Sequence, residues 1–447
     1  VRKRLLILSS KLGYQTRAFA EAAARLRAEV VFATDRCERL DDPWGDHAIA
    51  VRFEQPDEAA TRIVSACHER PVDGILALGD KPTVAAAFAA AALGIEYNSA
   101  VAVENCRSKL RQREVLRDAG LPVPEFFDFA LHEDARRVLP RVPFPCVVKP
   151  LTLAASQGVI RANNEEEFAA AVARIRALLD APELKVHREP TLDRLLVERY
   201  VSGVEVAVEA LLTRGRLRVL AIFDKPDHPE GPYFEESIYV TPSRLPRAEQ
   251  ASVEACLETC VHALGLTHGP LHCEFRLNER GPWVLEIQPR PIGGLCSRVL
   301  RFVNRNESIA TEPLRAQSES GQKVLLEELL VRHALGEDAS RWSREAAASG
   351  VMMIPVPRSG ILEGVAGEDA ARAVPGIEEL HITARLHDTI TAWPEGSSYL
   401  GFIFARAETP EEIVLALKAA LARLRFTISP PLPVRHPLQE KAKVEHR

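Results

Sequence analysis

The chain has no Cys-x-x-Cys pair, no GxGxxG loop, no surplus of basic charge and no apolar run long enough to cross a bilayer. Each absence removes a class of protein. The eight cysteines are scattered, and Cys256 and Cys260 stand at helical spacing, which suits a core face better than a metal or disulfide framework. A reduced, cytoplasmic setting is expected. A net charge of −5 without a basic stripe argues against nucleic acid as a partner. The longest apolar stretch, Ala85–Ile95, is alanine-rich and too short to span a membrane. Lys3 and Arg4 precede an apolar run, Leu5–Leu8, far too short for a signal peptide, so no membrane association is expected. The loop Ser9–Gln15 holds one glycine, which leaves a nicotinamide site without support. The loop after Lys149-Pro150 has no GK[ST] and leads into a strand, so it is not a Walker A loop.

What is present is an ordinary globular composition, 46% hydrophobic and 27% charged over 447 residues, enough for two or three domains. Apolar runs at 4–9, 29–34, 48–53 and 73–79 alternate with amphipathic stretches at 16–28, 57–69 and 82–93. That alternation predicts an open, parallel α/β domain over 1–97. A helix over Val101–Ala119 follows, closed by Gly120 with Pro122 and Pro124 beyond. Strands are expected over Phe144–Lys149, Val159–Arg161, Leu195–Tyr200, Val204–Leu212 and Leu217–Phe223, with helices over 165–180 and Ala248–Leu264. Residues 304–322 read as a polar loop and 323–335 as a helix. Residues 349–428 read as a separate α+β module, and 429–447, proline-rich and then charged, as a flexible tail.

The stretch 268–294, HGPLHCEFRLNERGPWVLEIQPRPIGG, organises the rest. Glu279-Arg280-Gly281 reads as a three-residue hairpin loop, and pairs summing to 560 then put Glu274 opposite Glu286. Alternation places His272, Glu274, Arg276, Glu286 and Gln288 on one face. Cys273, Phe275, Leu277, Leu285 and Ile287 take the core face. Two carboxylates in register repel across a ladder, and a hard divalent cation between them relieves that. A single carboxylate there would be read as an ion-pair partner of Arg276 or Arg290. The pair, with an amide and an arginine alongside, points to a metal–phosphate site. The small residues Ala154-Ala155-Ser156, closed by Gly158, can bring backbone N–H groups against phosphate oxygens; taken alone they would be an ordinary surface hairpin.

Lys109, Lys149, the 154–158 loop, the strand pair around Glu198 and Glu205, and the Glu274/Glu286 hairpin together resemble the ATP-grasp carboxylate–amine ligases over about 100–295. A narrower likeness, to the dipeptide-forming L-amino acid ligases, rests on VVKPLTLAASQGVIRA (147–162), EIQPRPIGGLCSRVLRF (286–302) and MIPVPRSGILEGVAG…PEGSSYLGFIFA (353–405). The resemblance implies an α/β and α+β fold of ATP-grasp architecture: a Rossmann-like N-terminal domain at 1–97, a nucleotide-clasping domain at 98–335 and a C-terminal α+β domain at 349–428. It implies ATP and Mg2+, with Mn2+ as a substitute, held in the following way. Lys109 and Lys149 meet phosphate oxygens under a loop of Ala155, Ser156, Gln157 and Gly158. Glu198, Tyr200 and Val201 meet the adenine and Glu205 the ribose. Glu274 and Glu286 bind metal, with Gln288 where the family usually has asparagine. Arg290, beside Gly293 and Gly294, binds the acyl phosphate, with Lys149 as its catalytic companion. His272 reads either as a structural residue or as a substrate contact. Lys225, His228, Glu235 and Glu236 read equally as an amino-acid pocket or as a solvated loop. The implied partners are a small carboxylate and an amine, amino acids in the narrower likeness, and a homodimer is compatible with it. A ligase of nucleotide or cofactor synthesis and a non-catalytic ATP-binding protein are the alternatives.

Overall fold

The computed structural model describes residues 2–10, 13–35, 48–185, 190–227, 230–304 and 323–430. His228, most of the polar stretch after Asn304 and nearly all of the expected tail therefore lie outside the described residues. Four parallel strands open the fold, in the order Ile49–Val51, Glu29–Asp35, Arg4–Ser9, Gly74–Leu78. Leu5 to Leu8 are buried on both faces, the condition of a parallel strand covered by helices on each side. Those helices are Tyr14–Arg25, Pro56–Cys67 and Thr83–Leu93.

The expected single helix over 101–119 is two, Ala100–Arg107 and Lys109–Asp118. Ser108 between them is extended, and its hydroxyl accepts from the Arg111 N–H, capping the second helix. Helical periodicity runs through Ser108, so the sequence pattern gave no sign of the break. Its consequence is that Lys109 stands at a helix start, with its N–H donated to the Leu151 carbonyl at 3.1 Å.

Two antiparallel sheets follow. A four-stranded one runs Phe126–Ala130, Arg194–Arg199, Cys146–Pro150, Ile160–Ala162, backed by the helix Glu165–Leu179. Asn164 caps that helix, and three glutamates in its first turn complement the dipole. An eight-stranded sheet runs Gly281–Gln288, Gly269–Asn278, Val204–Thr213, Arg216–Asp224, Ile238–Thr241, Ala348–Ile354, Gly401–Ala407, Ile377–Ile382. The strand Ile238–Thr241, which the sequence pattern did not reveal, joins Arg216–Asp224 to Ala348–Ile354. The residues read as a separate C-terminal module thus continue the same sheet as the central hairpin. Among the described residues, no helix is long and apolar enough to cross a membrane.

The hairpin departs from expectation in its turn. Asn278 pairs with Gly281, leaving only Glu279 and Arg280 at the tip, and Phe275 pairs with Val284. An irregularity between Glu274 and Phe275, with Leu285 as the extra residue, then shifts the register so that Glu274 does face Glu286. Val284, not Leu285, joins the core with Phe275 and Ile287. Leu285 is half-buried and turns to the cleft described next.

Candidate active site

A cleft, half open to solvent, lies between the four-stranded sheet and the hairpin face of the long sheet. Lys149 and Glu198 enter it from the first sheet, Glu205, Glu274 and Glu286 from the second, and Lys109 from its helix start. Tyr200, Val201, Ala155 and Ser156 complete the part of the wall foreseen from sequence.

Charge in the cleft is buried and matched. Glu198 is 4% exposed, with one oxygen 2.6 Å from the Lys149 Nζ and the other accepting from the Arg113 Nε at 2.7 Å. Burial pushes its carboxyl up, but the Arg113 and Lys149 cations outweigh that and hold it below the ordinary range. Burial pulls Lys149 below its ordinary value, and Glu198 offsets only part of this. Arg113, 1% exposed, also donates to the Leu285 carbonyl at 2.7 Å, tying helix Lys109–Asp118 to the hairpin.

A second cluster surrounds Lys225. Its ammonium lies 2.8, 2.7 and 2.8 Å from oxygens of Glu205, Glu236 and Glu274. Burial lowers the Lys225 pKa, but the three carboxylates together raise it well above its ordinary value. Burial raises Glu236 to about 7, while Glu274 beside it stays well below the carboxylate range. These three glutamates are the grouping whose oxygens lie within 4.8 Å of one another among the described residues. Lys225 therefore sits with the carboxylate cluster, not on a solvated loop. The other Glu205 oxygen accepts from the Arg276 Nε at 2.8 Å, and Arg276 lies over the rings of Tyr200 and Phe234. Glu235 is half-buried nearby, and burial raises its carboxyl.

The expectation that Glu274 and Glu286 repel unless a metal lies between them is corrected by the lysines. Glu274 has Lys225, and Glu286 has Lys109 at 3.1 Å and the Gln288 amide at 2.7 Å. The donor chemistry of Glu274, Glu286 and Gln288 remains all oxygen, which fits a hard divalent ion. Further along the same face His272 is bound through Nδ1 to Glu209 at 2.5 Å. Burial would lower its pKa, but Glu209 outweighs this and raises it to about 9. Arg290 is half-buried, and its Nε donates to Asp80 at 2.6 Å, not to Glu286. Asp80 follows the strand Gly74–Leu78, so the N-terminal domain supplies the partner of Arg290, outside the cleft wall. Gly294 is left-handed (φ 65°), and a Cβ there would meet the Phe402 ring at 3.0 Å.

Comparison with known proteins accords with this geometry. The ATP-grasp domain family matches residues 142–299, the ATP-grasp N-terminal domain family residues 20–95, and the L-amino acid ligase C-terminal domain 2 family residues 352–429. The chain carries an ATP-grasp domain preceded by an ATP-grasp N-terminal domain. The crystal structure of L-amino acid ligase from Bacillus licheniformis superposes with a TM-score of 0.76 at 25% identity, over 96% of this chain and 99% of that one. An uncharacterised protein, y4rH, of Sinorhizobium fredii (strain NBRC 101917 / NGR234) is 24% identical over 337 residues, 73% of this chain and 62% of that protein. The ATP-grasp enzyme fsqD of Aspergillus fumigatus (strain Af293) is 26% identical over 330 residues, 63% of this chain and 54% of that protein. The chain spans less than two thirds of the length of either relative.

Residues around this ATP-grasp cleft escaped the sequence pattern. Arg113 looks like a surface arginine in its own segment, and Asp80 looks like a loop carboxylate; each acquires its role from a partner distant in sequence. Of the residues foreseen, Gln157 and Gly158 face away from the cleft wall. The Gln157 amide donates to the Glu395 carbonyl, and a Cβ on Gly158 would press on Pro150 and Leu178.

Proposed function

We propose that this chain activates a carboxylate with ATP as an acyl phosphate and joins it to an amine, releasing ADP and phosphate. L-amino acids are the substrates and a dipeptide the product. The observation that carries the reading is one cleft lined by Lys109, Lys149, Glu274 and Glu286, with Lys225 paired to Glu274 behind its wall and Arg290 beyond. Phosphoryl transfer asks for that concentration of positive charge and oxygen ligands. The likeness of the C-terminal region to the L-amino acid ligases supports the dipeptide over a product of nucleotide or cofactor synthesis.

In this reading Lys109, Lys149 and Lys225 hold phosphate oxygens, and Lys225 belongs with the nucleotide instead of the amino acid because two of its three partners, Glu205 and Glu274, line the cleft. Tyr200 and Val201 meet the adenine along with Glu198, and Glu205 the ribose. Glu274, Glu286 and Gln288 would hold Mg2+, which when bound neutralises charge on the transferring phosphate. Arg290 receives the acyl phosphate and the oxyanion that forms when the amine attacks, with Gly293 and Gly294 letting backbone approach. His272, Glu235 and Glu236 face the acceptor. The occupied cleft keeps water from the intermediate.

Amino-acid pairs incubated with Mg·ATP are expected to yield ADP, phosphate and a dipeptide mass, and hydroxylamine in place of the amine is expected to trap a hydroxamate. AMP and pyrophosphate as products would rule out the acyl phosphate. A second expectation follows from the lysines at Glu274 and Glu286. Mg2+ alone should shift the melting temperature little, whereas Mg·ATP should raise it by mass action, which melting curves with each addition measure. A large shift with Mg2+ alone would mean that the lysines do not balance the carboxylates.

A further inference from the structure

The loop over the cleft is held from outside the nucleotide-binding sheets. Ala155 and Ser156 are consecutive non-glycine residues in the left-handed region, at φ 53° and 54°. Such backbone is costly and persists only where the surroundings over-determine it. The surroundings here are one turn of the C-terminal region, Trp393-Pro394-Glu395. The Trp393 Nε1 donates to the Ala155 carbonyl at 3.0 Å. The Gly158 N–H donates to the Pro394 carbonyl at 2.9 Å, and the Gln157 amide to the Glu395 carbonyl at 2.7 Å. The Glu395 carboxylate takes both arms of Arg174, on the helix behind the loop, with Nη2 at 2.9 Å.

The turn itself is rigid. The Gly396 N–H bonds the Ala392 carbonyl, and a Cβ at Gly396 would lie 2.1 Å from the Thr391 carbonyl oxygen, so this tight geometry needs glycine. The Ala392 N–H donates to the Ser359 hydroxyl. The Trp393 ring is buried in the C-terminal core, 4.9 Å from the Tyr399 ring, and Tyr399 packs on Phe402, the ring that covers Gly294.

We propose that Trp393-Pro394-Glu395 is a latch with which the C-terminal region sets the 154–158 loop over the nucleotide phosphates, Trp393 and Glu395 being positioning residues for phosphoryl transfer. This rests on the reading of the cleft as an ATP site. Without the latch the left-handed pair relaxes, the N–H groups of Ala155 and Ser156 lose their aim, and water reaches the acyl phosphate.

Trp393→Phe keeps an aromatic ring in the core while removing the Nε1 donor with part of the indole; Glu395→Ala removes the partly exposed carboxylate. Each is expected to raise the KM and Kd for Mg·ATP about fivefold, the worth of one hydrogen bond. The KM for the amino acids should hold, and phosphate release should exceed dipeptide formed. A role confined to stability would lower the melting temperature and leave both the ATP affinity and that ratio unmoved. Variants that bind Mg·ATP and couple as the native chain does would overturn the latch alone. A native chain that binds no Mg·ATP in calorimetry would overturn the reading of the cleft and the latch with it. Should Trp393→Phe not fold, Glu395→Ala decides.

Discussion

Arg290→Ala is expected to lower dipeptide formation by about 100- to 1000-fold while leaving Mg·ATP affinity nearly unchanged. The half-buried guanidinium stands just past the end of the hairpin strand, with its Nε fixed by Asp80 and its Nη1 by the Pro291 carbonyl at 3.1 Å. Those two bonds set the plane of the fork, and a pre-set fork loses little entropy on meeting a phosphate or an oxyanion. Arg290 lies outside the wall of the nucleotide cleft, so ATP gains nothing from it before charge develops on the acyl group. Removing it has a second effect. Burial pushes the Asp80 carboxyl up, and Arg290 is the main influence holding it below the ordinary range. An Arg290→Ala protein therefore carries a half-buried carboxylate without its counter-ion and should melt earlier. Arg290→Ala combined with Asp80→Asn removes that penalty, so its melting temperature should recover while its turnover does not. Turnover, ATP affinity and melting temperature on the single and double variants separate chemistry from folding. A folded Arg290→Ala protein that ligates at the native rate would sink the assignment.

The sequence made the strands and their faces legible where the pattern is local, and misled where a distant partner decides. Leu5–Leu8 and Gly74–Leu78 are buried on both faces, so their hydrophobicity announced the parallel sheet directly. The facing of Glu274 and Glu286 was legible for a reason only half right. The assumed three-residue loop is a two-residue tip, and the irregularity at Leu285 supplies the missing step. Periodicity cannot show such a step, and this is why Leu285 was expected in the core and Val284 was not. The strand Phe126–Ala130 pairs with Arg194–Arg199, and Ile238–Thr241 with Ala348–Ile354. Both are short, and sequence separation from their partners hides them.

The same limit explains the site. Carboxylates and lysines could be gathered from their spacing on strands, because alternation fixes which side of a sheet each one faces. Their counter-ions could not. Arg113 stands on a helix, Asp80 in the N-terminal domain and Trp393 beyond the whole cleft, and nothing local in those segments distinguishes them from surface residues. What the sequence reading took as unbalanced negative charge in the hairpin is balanced by Lys109 and Lys225, one from a helix start and one from the next strand but one in the sheet.

Glu198→Gln is the substitution expected to cost most in stability, more than Arg113→Met, although both break the same bond. Glu198 lies between two buried cations, so neutralising it leaves Lys149 and Arg113 without a shared counter-charge. Leaving buried charge uncompensated costs roughly 3–5 kcal/mol. Arg113→Met leaves Glu198 and Lys149 as a balanced pair and loses the bonds to Glu198 and the Leu285 carbonyl, a cost of about 1–3 kcal/mol. The sign of the pH dependence follows from Glu198. Its folded pKa is depressed, so its contribution is present above the ordinary carboxylate pKa and is lost as pH falls through the folded value. The gap between native and Glu198→Gln proteins should therefore be full near neutrality and close in acid. At alkaline pH it should narrow again, because Lys149, already lowered by burial, is lowered further without Glu198 and sheds its proton in the folded state. Mg·ATP affinity should fall in Glu198→Gln as well, since Lys149 loses the carboxylate that aims it. Chemical denaturation across pH, with ATP titration near neutrality, measures each part. If Arg113→Met proved the more damaging of the two, or the gap did not close in acid, Glu198 would not be the shared counter-ion that holds the cleft together.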